Sequence, residues 1–552
     1  MEAYGEIAAI FILLAVVVFV ISRLPTVEEV NHSAAFRRRR VMNWLPLGLT
    51  YAFLYMGRYN LKVSKFHFEE MPGSAGGALM SNEGFGVIFT VGVWVYGSAF
   101  LINGPLTDKL GGRFAILVGA AGSAFANLLM GLATWSLINE GPMHTAIGEN
   151  FITLFSVLYG VNMYFQSFGA VAVVKCNAPW FHVRERGVFG AIFGILISLG
   201  VYFAFDLGYK IVEHIGVAEV FFIPTVMLAI FWVADYFLVR NSPEDAGLED
   251  FDTADASSGD DGPQLGALEV FKKMLTNPII ITIALVEFCS GFIRQAPMQW
   301  YRTFAKQTNE VLQLKGDFIY DHWGMWLCVA GIMGGVLAGV ISDRVFQSRR
   351  GPVAAILYLG VTIGSIALLF VYTTPVQQIS VTGTNLAGVF FVIGGVIAMV
   401  SGSKNLNRSI QAIGFSVGAI GVLMMSNLMG HDFGTIKVAP AGVVAILISM
   451  CVIGVHGMLS GTASMDFGGR KNVGIAVGII DGFVYLGTGV MSLTYAYVLP
   501  QEQQDSSGQL IGPVTQPENW SPWPISMIIV GICGFLLATR VWNAKPQGKS
   551  AA

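Results

Sequence analysis

The chain reads as an all-α polytopic membrane protein: two pseudo-symmetric bundles of six helices, with three extra transmembrane helices. Three observations predict it. Of the 552 residues 54% are hydrophobic and only 12% charged, with a mean hydropathy of +0.63, whereas soluble domains carry about 25% charged residues. Apolar runs near the length a bilayer requires, about 20 residues, recur along the whole chain. A loop motif and an intramembrane arginine each occur twice, at nearly the same offset.

Fifteen runs qualify: 6–22, 42–65, 84–107, 113–137, 150–175, 185–209, 218–240, 278–305, 322–345, 352–373, 385–402, 408–429, 441–464, 472–498 and 523–544. The first follows Glu2 and Glu6 and precedes Arg37–Arg40. A secretory signal has its positive charge in front and a small-residue cleavage site behind, so this run reads as a retained helix with the N-terminus outside. Strict alternation then puts 22 basic residues inside and only five, Lys65, Lys210, Lys306, Lys315 and Lys437, outside. That asymmetry is the positive-inside pattern, with the C-terminus cytoplasmic in a plasma (inner) membrane. One missed span would have inverted the tally downstream of it.

The domain organisation follows. Residues 1–40 form an extra N-terminal helix and a basic inside loop, and 41–240 the first bundle. Residues 241–277, rich in acids from Asp245 to Asp261, form a cytoplasmic linker. Residues 278–545 form the second bundle, interrupted by an inserted helix pair at about 385–429, and 546–552 a tail. The pair enters and leaves on one face, so the core topology is unchanged.

The repeat joins the halves. Gly104-Pro-Leu-Thr-Asp108-Lys and Gly339-Val-Ile-Ser-Asp343-Arg344 both fit Gly-x-x-x-Asp-(Lys/Arg), with aspartates 235 residues apart; Arg58 and Arg294 are 236 apart. Six-helix halves with a site at their interface are the pattern of a secondary transporter. An arginine inside a span costs about 2.5–3.5 kcal/mol on insertion scales, so each needs a reason.

The doubled loop motif, with Asp108, Arg113, Asp343 and Arg344 as its gating charges, resembles the signature of the major facilitator superfamily. Further matches are Tyr55-Met-Gly-Arg58-Tyr-Asn60, Tyr96-Gly97, Trp180-x-x-x-x-Glu185-Arg-Gly187, Arg240-Asn-Ser-Pro243, and Gly478 through Tyr485-Leu-Gly487. Together they resemble the organophosphate:phosphate antiporter family, over about 44–495. The resemblance implies that Arg58 and Arg294 hold a substrate phosphate, that Tyr55 and Tyr485 line the site with a retained Gln166, and that rocking halves expose it alternately. The chain departs from the family at Phe100, where a lysine is expected, and at about Ile197, where a histidine is. Lys62, Asp206, Glu287 and Asp481 are charges the family does not predict.

The chemistry suits those roles. Guanidinium stays charged when desolvated and offers a planar fork to phosphate oxygens. Lys62, one turn from Arg58, either joins the anion site or reaches toward water; Arg302, near a span end, is expected to reach the interface. Asp481, Glu287, Asp206 and His456 are candidate proton-coupling groups, or partners of nearby bases. The resemblance implies a small phosphorylated organic anion and inorganic phosphate as the ligands, and the expected carrier is a monomer in the lipid bilayer. A proton-coupled organic anion symporter and a non-transporting sugar-phosphate receptor are the alternatives. No Walker loop, zinc-type His-Glu-x-x-His or nucleophile elbow is present, so neither enzyme activity nor a cofactor is expected. The five cysteines lack metal-ligand spacing or a disulfide framework, and a net charge of −3 argues against nucleic acid.

Overall fold

Among the described residues, polar caps and helix-breaking residues set the ends of twelve long helices. The computed structural model describes residues 33–73, 77–181, 196–249, 269, 271–272, 275–346, 349–382, 432–504 and 510–544. The first half contains α1 (Ala34–Glu70), α2 (Asn82–Leu110), α3 (Gly112–Ile138), α4 (Phe151–Asn177), α5 (196–214) and α6 (Glu219–Leu238). The second contains α7 (Pro278–Gln307), α8 (Trp323–Val340), α9 (Arg350–Val371), α10 (Pro440–His456), α11 (Ser464–Val498) and α12 (Pro522–Arg540). Start signals are local. The Ser33 and Ser81 hydroxyls accept from the backbone N–H of Phe36 and Gly84, both at 3.1 Å, and Asn277 accepts from that of Ile279 at 2.9 Å, each satisfying an orphan donor of a first turn. Gly111, at φ 90°, turns the chain between α2 and α3 in a single residue, a conformation suited to a residue without a Cβ.

The packing repeats as the sequence does. In the first half α1 lies on α6, α2 on α4, and α3 on both α4 and α6; in the second α7 lies on α12, α8 on α10, and α9 on both α10 and α12. The halves meet where α2 lies along α11 and α5 along α8, contacts that exchange with each other under the same six-helix shift. The pseudo-twofold axis passes between α1 and α7. Gln295 donates to the Tyr59 hydroxyl at 3.2 Å and Lys306 to Glu70 at 2.8 Å, each across 236 residues, so residues on the axis meet their own repeat counterparts. Close approach of α7 and α11 depends on Gly291 and Gly487, where a methyl group would collide with the carbonyls of Val484 and Phe288. Large apolar side chains such as Phe125, Phe237 and Phe370 face outward. Among the described residues nine helices are long and apolar enough to cross a membrane.

Several expectations are corrected. The first core helix runs from Ala34 to Glu70 rather than 42–65, because the basic run forms its opening turns instead of a loop: Arg39 donates to the Leu238 carbonyl at 2.7 Å and Arg40 lies 4.7 Å from the Phe181 ring centroid. Among the described residues the named strands form two short antiparallel ladders, β1 (Gln377–Thr382) with β2 (Asp432–Val438) and β3 (Gln503–Gln504) with β4 (Leu510–Ile511). There the connecting segments satisfy their backbone groups against each other. The extra helices expected at 6–22, 385–402 and 408–429 lie outside the described residues, as does most of the linker.

Candidate functional site

The polar face of α1 turns toward the centre of the bundle. Arg58 is 2% exposed and every branch of its guanidinium is engaged: Nε donates to Gln166 at 2.9 Å, Nη2 to the Tyr96 hydroxyl at 3.0 Å and Nη1 to the Tyr485 hydroxyl at 3.2 Å. The rings of Tyr96 and Tyr55 flank it, centroids 4.4 and 4.7 Å from the guanidinium carbon, in cation–π geometry. Gln166 is oriented in turn by Asn162 at 3.2 Å, which holds the Gly57 carbonyl at 2.8 Å. Tyr485 belongs to α11 and Arg58 to α1, so this bond crosses between the halves. All of these partners are uncharged.

Arg294, the repeat counterpart on α7, has a different environment. Its Nε is buried with no hydrogen-bond partner. Tyr485, Tyr59, Tyr55, Glu287, Asp481 and His456 are among the ionisable side chains within electrostatic reach, yet among the described residues no carboxylate is within ion-pair distance of it. Glu287, two turns earlier on α7, is instead bonded to His456 Nδ1 at 2.9 Å. The two arginines therefore present permanently charged guanidinium groups with no carboxylate in ion-pair distance among the described residues, donors of the kind that anions take.

The other expected residues divide into three groups. Lys62 does not reach water: it is 1% exposed, bonded to the Thr303 hydroxyl, with the Phe85 ring at 4.8 Å and that of Trp300 at 5.5 Å. Asp481 accepts from the Ser460 hydroxyl and shares the neighbourhood of Arg294, Glu287 and His456. Asp206 is not brought to the arginines; it caps α8, accepting from the N–H groups of Gly324 and Met325 at 2.6 and 2.8 Å, where the helix N-terminus favours an anion. Of the loop motif, Arg113 accepts no role near the centre: its backbone N–H bonds Asn241 at 2.9 Å and its guanidinium bonds the Tyr236 carbonyl. The side chains of Asp108, Asp343 and Arg344 lie outside the described residues.

Other functional features escaped the sequence reading. Tyr96, noted only as part of a motif, is a direct partner of Arg58. Arg302, expected at the interface, is buried against the rings of Tyr209 and Tyr320, at 3.5 and 4.3 Å. Lys65, tallied to an outside loop, is fully buried between Glu502 at 2.9 Å and Glu69 at 3.3 Å. Glu502 also accepts from Gln307 and from the backbone N–H of Asn82, both at 2.7 Å. This network sews α1 and α2 to α7 and the segment after α11, and closes one end of the interface between the halves. The Lys65–Glu69 spacing could have signalled part of it; nothing local signals Glu502.

Twelve helices in two like halves around a buried polar centre are the architecture of a membrane transporter. The chain belongs to the Major Facilitator Superfamily, whose profile matches residues 47–426, a family of transporters and not of enzymes. It is 25% identical over 399 residues to the glycerol-3-phosphate transporter of Bacillus subtilis (strain 168), covering 68% of this chain and 81% of that protein. It is 20% identical over 417 residues to the membrane sensor protein UhpC of Salmonella typhimurium (strain LT2), covering 72% and 84%. Among solved structures, a bacterial homolog of the human lysosomal transporter Spinster, inward-facing and unoccupied, superimposes with a TM-score of 0.56 at 12% identity over 94% of this chain and 100% of that one, a likeness of fold alone. The resemblance to the organophosphate:phosphate antiporters therefore holds, for a divergent member.

Proposed function

We propose that the protein is a secondary active transporter that moves a small organic anion, an organophosphate, in exchange for inorganic phosphate by alternating access. The observation that carries this reading is the acid-free pair Arg58 and Arg294, on counterpart helices of the two halves, the second with a buried Nε lacking a partner. A phosphate can take one guanidinium fork from each half. With the anion aboard, the centre is close to neutral and the halves can close over it. Empty, the two like charges resist closure, and that makes exchange obligatory. Tyr55, Tyr485, Gln166 and Lys62 line the anion site in this reading. The names of the relatives favour a phosphorylated substrate. The Glu502 end faces outward, the C-terminus is cytoplasmic, and the protein works as a monomer in the plasma (inner) membrane.

The test is exchange in proteoliposomes: unlabelled phosphate inside and labelled phosphate outside, for wild type, Arg58→Lys and Arg294→Lys. Exchange in wild type that disappears in both variants supports the proposal. No exchange from folded wild type overturns it. Similarity to a sensor protein gives a second reading, a non-transporting receptor, which predicts thermal stabilisation by sugar phosphates with no flux.

A further inference from the structure

We infer that Glu287 and His456 form a proton-binding site that loads together with the anion at Arg294, an inference that rests on the transport reading above. The pair joins a sealed carboxylate to an accessible imidazole. Glu287 is fully buried; its Oε2 is bonded to His456 Nδ1 at 2.9 Å, while its Oε1 is buried near the Ser290 hydroxyl without either atom reaching hydrogen-bond geometry. The His456 side chain is 21% exposed. A purely structural ion pair in low dielectric is stable when its remaining lone pairs are satisfied. Here an oxygen is left over, and a proton is the ligand that relieves a carboxylate of that kind.

The surroundings tie the proton to the anion. Facing the pair from the packed elements are Arg294 and Cys289 on α7, Asp481 on α11 and Tyr358 on α9; among the described residues Arg294 is the only cation in that set. Glu287 and Asp481 both draw on the charge of Arg294. Adding a proton from water to the Glu287–His456 pair cancels one of those negative charges and leaves Arg294 more strongly disposed to an anion. By linkage, an anion at Arg294 raises the proton affinity of the pair by the same factor. A phosphate ester entering as a dianion carries one charge more than a phosphate monoanion leaving, and the proton cancels that difference. It is taken from water on one side and released with the anion on the other.

The test reads charge movement. Full-length protein in vesicles loaded with phosphate at acidic pH, mostly monoanion, is offered labelled phosphate or glycerol 3-phosphate at alkaline pH, mostly dianion. Potassium and valinomycin set the membrane potential. The inference expects wild-type exchange to be indifferent to an inside-negative potential, while Glu287→Gln and His456→Gln, each of which keeps a hydrogen-bonding side chain but not the titration, are slowed by it at least about fivefold. Wild-type exchange that depends on potential overturns the inference. So does indifference in both variants, which would mean that monoanions are selected without a proton site. No exchange of either probe by wild type overturns the transport reading itself, so the two failures are distinguishable.

Discussion

Two clusters of buried positive charge sit on the same two helices, α1 and α7, and they are neutralised in opposite ways. At the Glu502 end, Lys65 and Lys306 lie against Glu69, Glu70 and Glu502. Further along the same helices, Arg58 is held only by uncharged oxygens and Arg294 has a nitrogen with no partner. The first cations have their own carboxylates and hold the halves together; the second have none within ion-pair distance among the described residues. Within the second cluster the halves differ again, since every branch of the Arg58 guanidinium is hydrogen-bonded and the Arg294 Nε is not. In the transport reading proposed above, an incoming anion meets one half-site already held and one that it must complete.

Substitutions separate the two clusters. The largest effect is expected at the acid-free cluster: Arg58→Lys and Arg294→Lys each lower phosphate exchange by at least about 100-fold, because a point charge cannot replace a planar fork. Retained exchange in one of them would confine anion binding to the other half. Next, Glu502→Ala leaves Lys65 with a single acid and removes the acceptor of Gln307 and Asn82. Loss of a buried partner of this kind costs about 3–5 kcal/mol, read as a lower melting temperature in detergent, and no change would mean that this end is not held by charge. Third, Arg58→Gln loses charged hydrogen bonds worth about 1.5–3 kcal/mol, whereas Arg294→Gln costs less than about 1 kcal/mol; equal losses in unliganded protein would erase the asymmetry. Smallest, Asp206→Asn gives up a charged cap on α8 for about 0.5–1 kcal/mol, measured in the same melts.

The parts of this arrangement visible in sequence are those encoded by residue type and local spacing. Hydropathy located the twelve core helices, and the paired offsets of Asp108 with Asp343 and Arg58 with Arg294 exposed the twofold repeat. Helical spacing put Lys62 one turn from Arg58, but not its burial: its ammonium ends on Thr303, 241 residues away. Tyr96 stood out only as part of a motif, with no role attached, because only the approach of α2 to α1 makes it a partner of Arg58. Glu502 lies in a connecting segment where acids are ordinarily solvated, and its burial depends on three helices converging there. Asp235 is a similar case, an acid on α6 that sequence periodicity passes over, fully buried and bonded by the Thr50 hydroxyl at 2.6 Å.

The β1–β2 ladder has a practical consequence. It pairs Gln377 with Val438 and Thr382 with Asp432, so residues 383–431 leave and rejoin the bundle at neighbouring points. Closing a longer loop across a fixed gap costs only a logarithmic increment, about 0.6 kcal/mol per doubling. A fluorescent reporter grafted between Thr382 and Asp432 would need to bridge only the spacing of two paired strands. Rearrangement between α9 and α10 would then be read as a change in emission, from a graft distant in sequence from both arginines.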